Sequence, residues 1–331
     1  MDVSTAAKVE ALARPQAGLV TRAQLLAAGL DRGLPAREQA AGRWQRLGSG
    51  LYLTAAGPPA PAQRLRAGLL LAGPGAQLCG PTAARLWGLR DAPVAEEVHV
   101  LLPESRRRVE APGVVVHRSR DVPPPWTVGG LPVVALARAA VEAARWAGGL
   151  RAARAVLAAA VADGRCAPDE LEDWLARGGQ QGSRDARRAL ADARAGAASA
   201  PEAEVADLLA PLAARGRLPR FLLNPDLHVE GVRLGRPDLW LPGTGVGHET
   251  DSVRHHGDAD ALDATLDRHA RFAAAGVALL HTSPRRARSE PAALVRRVLD
   301  AVERATGDPP GLTVTPRGPL LPLLPYRAPR A

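Results

Sequence analysis

The chain has 331 residues, 46% of them apolar but only 3% aromatic, and carries 43 basic against 34 acidic side chains for a formal net charge of +9. That length suits two or three domains of roughly 100–200 residues each, and an apolar fraction dominated by Ala, Leu and Val favours helices around a few buried strands. Cys79 and Cys166 are the only cysteines, which argues against a disulfide framework or a cysteine-based zinc site, and the absence of a leader pattern or a run of about 20 apolar residues argues against secretion and membrane insertion, so a cytoplasmic protein with no membrane partner is expected.

Residues 1–55 read as three helices and a hairpin. Thr21-Arg22-Ala23-Gln24 has the pattern of a capping box, in which the Thr21 hydroxyl accepts from the Gln24 amide and the Gln24 side chain reaches back. Leu25, Leu26 and Leu30 follow as an apolar stripe, and Gly29 suits a helix C-terminus. A second helix starts near Pro35 and runs to Gly42. Trp44–Leu47 and Leu51–Leu53 flank the turn Gly48-Ser49-Gly50, as in a hairpin. Two helices joined by a short turn and followed by a hairpin is the layout of a winged helix-turn-helix, in which Arg32, Arg37, Arg43 and Arg46 are the candidate DNA contacts. Glu38 in the reading helix weakens that basic footprint. Lys8 is the sole lysine. The arginine excess therefore has two readings, a polyanionic partner or the codon bias of a GC-rich genome, and composition does not separate them.

Residues 58–196 predict a mixed α+β middle region of unassigned role. Pro58, Pro59 and Pro61 mark a linker. Helices are expected near 62–72 and 82–88, strands near 98–102 and 114–117, and then Ala/Arg/Leu helices broken at Gly148-Gly149, Asp163-Gly164-Arg165 and Gly178–Gly182. The loop Glu104–Arg108 reads as exposed. No catalytic arrangement is visible in this stretch.

Residues 197–308 change character. Ser199-Ala200-Pro201-Glu202 opens a helix, followed by strands around 221–224, 227–234, 236–241 and 246–251. A helix from about Asp260 to Ala275, a strand over Val277–His281 and a helix near 291–305 complete the order. Such an order predicts a mixed sheet with helices on it, within a multi-domain α/β protein. Residues 309–331 form a proline-rich tail, expected to be extended and poorly ordered beyond Pro316.

Asp238 and Glu249 lie on strands joined by a short turn, so they can be neighbours across a hairpin, and the alternation of a strand turns Glu249 and Asp251 to one side. His255 and His256 follow just past the strand end, and Glu202 is a further acidic candidate. Burying His248, Glu249 and Asp251 within four residues requires a partner, for which a metal, Arg236 or Arg254 are alternatives. Phosphodiester hydrolysis uses such carboxylates to hold a Mg2+ or Mn2+ ion that polarises phosphate and activates water.

The text Pro201-Glu202, Pro237-Asp238-Leu239-Trp240, Glu249-Thr250-Asp251-Ser252, His255-His256 and Thr265–Arg271 resembles the restriction-endonuclease-like PD-(D/E)xK superfamily. The likeness is nearer to its very-short-patch-repair-like branch. This resemblance implies a metal held by Asp238 and Glu249, with Glu202 and His255 around the same site. Asp251 stands where the superfamily has a lysine, and that branch also dispenses with the lysine, leaving a histidine to act in its place. Gly18-Leu19-Val20-Thr21, Gly42–Leu47 and Gly50-Leu51-Tyr52 resemble the winged helix of AbiEi-type antitoxins. Leu86–Leu89 and Gly130–Val133 match what often follows it. The second resemblance implies DNA binding in autoregulation and a cognate toxin or other protein partner.

Two functions are therefore expected. One is a Mg2+- or Mn2+-dependent DNA endonuclease, a hydrolase, in which Asp238 and Glu249 (with Glu202) bind metal, Asp251 completes the shell or positions water, and His255 is general base or stabilises developing charge. The other is a non-catalytic, antitoxin-like regulator with a degenerate nuclease-like domain.

Overall fold

The computed structural model describes residues 1–106, 110–179, 182–250 and 259–322, with side chains in the helix that begins at Ala259 described from Leu266 onward. It has a mixed α/β fold that divides into two compact units, Met1–Trp146 and Ala147–Ala331. Among the described residues no helix is long and apolar enough to cross a membrane.

The first unit opens with α1 (Val3–Ala13), β1 (Leu19–Thr21), α2 (Arg22–Ala27), α3 (Leu34–Ala40), β2 (Gln45–Gly48) and β3 (Leu51–Leu53). Thr21 caps α2 as its sequence requires. The Gln24 amide donates to Thr21 Oγ1 at 3.2 Å, and the Thr21 amide donates to Gln24 Oε1 at 2.9 Å. The expected pattern of helices and a hairpin omits β1, which pairs antiparallel with β3 and completes a sheet in the order β1-β3-β2. Three residues are too few to display a strand period. Val9, Val20, Leu25, Leu34, Trp44 and Tyr52 pack as one core under these elements.

The unit continues through α4 (Pro61–Ala72), β4 (Gln77–Leu78), α5 (Gly80–Leu86), β5 (Val98–Pro103), β6 (Val114–Ser119), β7 (Trp126–Val128), β8 (Leu131–Val133) and α6 (Leu136–Arg145). Its second sheet has the order β6-β5-β4-β8-β7, with β5 and β6 parallel. Gly80, at φ +51°, lies against the Trp146 ring so closely that an added Cβ would come within 2.1 Å of it, so only glycine fits there. The Gly80 amide donates to Glu142 at 3.0 Å, and the buried Arg138 guanidinium donates to the same carboxylate at 2.7 Å. The indole of Trp146 also carries a stack, with the His117 ring centroid 3.8 Å away and nearly parallel to it. His99 lies beside it, its Nδ1 3.0 Å from His117 Nε2.

The second unit contains α7 (Leu150–Ala162), α8 (Pro168–Arg177), α9 (Ser183–Arg194), α10 (Ala200–Ala214), β9 (Leu222–Leu223), β10 (Asp226–Val229), β11 (Val232–Gly235), β12 (Leu239–Leu241), β13 (Val246–Thr250), α11 (Ala259–Ala274), β14 (Ala278–Thr282), α12 (Pro284–Ser289), α13 (Pro291–Glu303) and β15 (Leu312–Thr315). The helix breaks fall at the glycines the sequence marks. Arg154 on α7, only 4% exposed, donates to Asp192 on α9 at 2.7 Å and to Asp207 on α10 at 2.5 Å. A buried cation between two carboxylates fixes the position of α10 on its neighbours, since moving any one helix would strand a charge.

A four-stranded sheet, β14-β13-β12-β9, forms the centre of this unit, antiparallel except for the parallel pair β13 and β14. Both of its faces are covered. Leu239, Leu241, Val246 and Leu280 turn to a core built with α10 and α13, while Trp240 and Leu279 turn to one that includes Leu222, Leu227 and Phe272. A second sheet, β11-β10-β15, supplies part of that other layer. The described part of the proline-rich tail is not the loose end its composition predicts. Arg317 donates to Asp226 at 3.0 Å, and Leu321 and Phe221 exchange backbone hydrogen bonds at 2.7 and 2.9 Å. Proline removes donors but leaves the intervening amides able to pair.

The His99–His117 stack makes stability depend on pH. Burial, then the neighbouring His99 charge, brings the His117 pKa down from 6.5 to about 4. Between those values the unfolded chain binds a proton that the folded chain refuses. The contribution of His117 to stability is therefore full above about pH 6.5 and is lost as the pH drops towards 4. Urea midpoints across this window should decline in the wild type and decline less in His117→Phe, which keeps the ring stack without the titration. Parallel pH profiles for the two proteins would refute the assignment.

Candidate functional site

The sheet of the second unit brings ionisable residues together through strand alternation. Leu239 pairs with His248 and Trp240 with Gly247, so continuing the register by one residue sets Asp238 opposite Glu249. Asp238 shares the parity of Trp240, and Glu249 that of Gly247, whose space is bounded by Trp240 and Leu279. On the parallel side Glu249 pairs with His281, which shares the parity of Leu279. Asp238, Glu249 and His281 therefore belong to the face covered by α11. His248, 1% exposed, has the opposite parity and is buried towards the other core.

Helix α11 presents Arg268, His269 and Phe272 to that face. Arg268 and Phe272 are one turn apart, with the guanidinium carbon 5.8 Å from the ring centroid. Arg268 Nη2 donates both to Glu249 Oε1 and to the Arg236 carbonyl. Glu249 is buried at 7% exposure, and this guanidinium is its counter-charge. The rings of His269 and His281 approach to a centroid distance of 4.0 Å. One ligand atom from each of Glu249, His269 and His281 can be chosen so that all three lie within 4.8 Å of one another.

Asp238 keeps some solvent contact yet is closely surrounded by protein. Its carboxyl is raised well above the usual range, first by burial and then by the Glu202 charge. The Thr250 amide, donating to Oδ2 at 2.7 Å, opposes this, Glu249 adds to it, and Arg268 offsets it. Asp238, Glu202 and Glu249 thus form one electrostatic group. Among the described residues no hydrogen bond reaches Asp238 Oδ1, so that oxygen is available to a cation. Glu202 is placed differently. Its Oε1 accepts from Ser199 Oγ at 2.7 Å, and its Oε2 accepts from the Ala198 amide at 2.8 Å and from Asn224 Nδ2 at 2.5 Å. Both oxygens brace the start of α10, so Glu202 contributes charge to the site while holding that helix.

The structure brings together Asp238, Glu249 and Glu202 among the expected residues. Asp251, His255, His256 and Arg254 lie outside the described residues. Arg236 is one of the alternative partners expected for the run of His248, Glu249 and Asp251. Arg236 instead donates to Asp226 at 2.9 Å, and with Arg317 and Arg233 it outweighs the opposing effect of burial, holding the Asp226 carboxyl down at about 2. Sequence reasoning assigned no role to Arg268, Asn224, His269 or His281. The parity of His281 with Leu279 and the spacing of Arg268 and His269 against Phe272 were readable signals. Asn224 carried none, because its side chain meets Glu202 only through a turn at φ +49° and a contact 22 residues away.

The four N-terminal arginines are not equivalent. Arg43 makes a bidentate pair with Glu38, Nε–Oε2 at 2.6 Å and Nη2–Oε1 at 2.9 Å. Glu38 is 2% exposed and its pKa is lowered by this pair. It therefore faces inward, neutralised by Arg43, and does not present a negative charge on the surface of α3. Arg37 pairs with Asp31. Arg32 and Arg46 are exposed, Arg46 donating to the Gly48 carbonyl at 3.1 Å beside a bulge in the β2–β3 hairpin.

No family model matches the chain, and no curated protein matches it. Among solved structures the chain is similar to the RV2827C protein from Mycobacterium tuberculosis, with 21% identity and a TM-score of 0.40 over 61% of this chain and 81% of that one. A likeness of that size carries no argument about this site.

Removing the Arg268 guanidinium should take one counter-charge from the buried Glu249 carboxylate. Loss of one partner of a fully buried pair costs about 3–5 kcal/mol. The Arg268 side chain is 35% exposed, so solvent screening reduces the expected loss for Arg268→Met to about 1–3 kcal/mol. Arg268→Lys, which keeps the charge but not the fork, should fall between. An unchanged urea midpoint in Arg268→Met would show that Glu249 does not depend on it.

Proposed function

We propose that the second unit is a divalent-metal-dependent phosphodiesterase acting on DNA, and that residues 1–55 form a winged helix-turn-helix that carries it to the duplex. The observation that supports this reading is the convergence of Asp238 and Glu249 on one face at the ends of adjacent strands, with Glu202 raising the negative charge around them. Oxygen ligands of this kind suit Mg2+ or Mn2+. A cation held by Asp238 Oδ1 and Glu249 would polarise a phosphate oxygen and lower the pKa of an attacking water.

The protein's own groups have separate tasks. The Thr250 amide fixes one Asp238 oxygen and so aims the other. Arg268 holds Glu249 in place and offers a guanidinium to the charge that develops on phosphate. The Glu202 brace keeps the start of α10 and the Asn224 turn against the site. Arg32 and Arg46, on the N-terminal element and its hairpin, suit phosphate contacts, as in a winged helix. Arg43 serves the fold by neutralising Glu38.

One observation favours the second reading, an antitoxin-like regulator that binds DNA without cutting it. Arg268 already neutralises Glu249, and both oxygens of Glu202 are engaged in holding α10, so the acidic group is stable without a metal. This reading places a cognate toxin or other protein partner on the second unit and leaves the DNA contacts unchanged.

Two experiments separate the readings. Plasmid nicking with Mg2+ or Mn2+ should be seen with the wild type and fall at least about 100-fold in Asp238→Asn, a change of roughly 2.7 kcal/mol in the barrier. Absence of cleavage on several DNA substrates with either metal would leave the regulator. In both readings DNA affinity should fall steeply with salt, and Arg32→Ala and Arg46→Ala should each lower the slope of log K against log salt by about 0.9. Salt-independent binding would sink the winged-helix assignment.

A further inference from the structure

We propose that Glu249, His269 and His281 form a site for a Zn2+-class transition-metal ion, on the side of Glu249 turned to β14 and α11. It shares Glu249 with the phosphodiesterase reading but does not require cleavage. The three side chains come from β13, α11 and β14, and one ligand atom from each lies within 4.8 Å of the others. Ligands about 2.1 Å from a tetrahedral ion are roughly 3.4 Å apart, so small side-chain rotations bring this set to bonding distance. Glu249 and His281 are held side by side by the parallel register, and the His269 ring is already 4.0 Å from that of His281.

The chemistry of the donors selects the ion. Two imidazoles and one carboxylate suit zinc, cobalt, nickel or iron, whereas Mg2+ prefers an all-oxygen octahedral shell. Three protein ligands leave a position open to solvent or substrate. The charged neighbours act in both directions. Arg268 on Glu249 Oε1 opposes a cation, while Asp238 and Glu202 favour one. Glu249 offers the ion a carboxylate oxygen beside the two imidazoles.

The test uses the full-length chain stripped with a chelator and titrated in the absence of DNA. Calorimetry with Zn2+ should give one ion per chain, Mg2+ should not compete at equal concentration, and Co2+ should produce visible absorption characteristic of nitrogen and oxygen ligation. His269→Ala and His281→Ala should each weaken Zn2+ binding by more than the roughly 10- to 100-fold that follows loss of a supporting contact. His281→Gln serves where the alanine variant unfolds. A His255→Ala/His256→Ala variant should keep the binding.

The proposal is overturned if the wild type binds no stoichiometric Zn2+, if binding survives the His269 and His281 changes, or if it is lost only in the His255/His256 variant. Zn2+ binding through these residues without DNA cleavage would defeat the phosphodiesterase reading alone. Mg2+-dependent cleavage without Zn2+ binding would defeat this proposal alone.

Discussion

Burial of negative charge on one face of a sheet is the constraint around which the second unit is arranged. Alternation along β12 and β13 sends Leu239, Leu241 and Val246 to one core and Trp240 to the other. The same alternation leaves Asp238 and Glu249 on the Trp240 side at the strand ends, where Glu202 adds a third carboxylate nearby. Carboxylates in such surroundings need donors or cations. The chain supplies the Thr250 amide to Asp238, the Arg268 guanidinium to Glu249, and Ser199, the Ala198 amide and Asn224 to Glu202. The donors come from four separate places in the chain, so the site ties α10, β13, α11 and the turn at Asn224 together.

The same logic appears in the buried ion pairs that fix the helices. Arg154 sits between Asp192 and Asp207, with Arg188 reaching both carboxylates from the solvent side. Asp207 lies on α10 five positions after Glu202, so the packing of α7 and α9 and the placement of Glu202 depend on one helix. In the first unit Arg138 and Glu142 form the equivalent buried pair, on one helix, with the Gly80 amide as third member. Such pairs add little net stability but penalise any arrangement that separates them, which suits a chain whose aromatic content is too low to define packing by large rings.

Local features were legible because they are carried by adjacent residues. The Thr21–Gln24 box, the helix breaks at Gly148-Gly149 and Gly164, and the Asp238–Glu249 hairpin all follow from spacing. The strands β1, β4 and β15 were not, since two to four residues show no period and their partners lie far along the chain. The inward turn of Glu38 was equally hidden. A glutamate on an amphipathic helix reads as exposed, and only the approach of Arg43 from beyond Gly42 reveals why it is buried. Arg268 was missed for the same reason: in a chain with so many arginines its type carries no signal, and its meaning comes from a contact 19 residues away.

Arg268 also links the readings of the site. A cation that permanently neutralised Glu249 would make the acidic group a structural feature and nothing more. However, Arg268 bonds one oxygen of Glu249, and its second bond is to a backbone carbonyl, that of Arg236. The guanidinium is thus anchored partly by the chain itself. Arg268 then faces whatever anion approaches from the solvent side, since over a third of its side chain remains exposed. A resident guanidinium beside two carboxylates is the charge pattern expected where a phosphate is to be bound close to a metal.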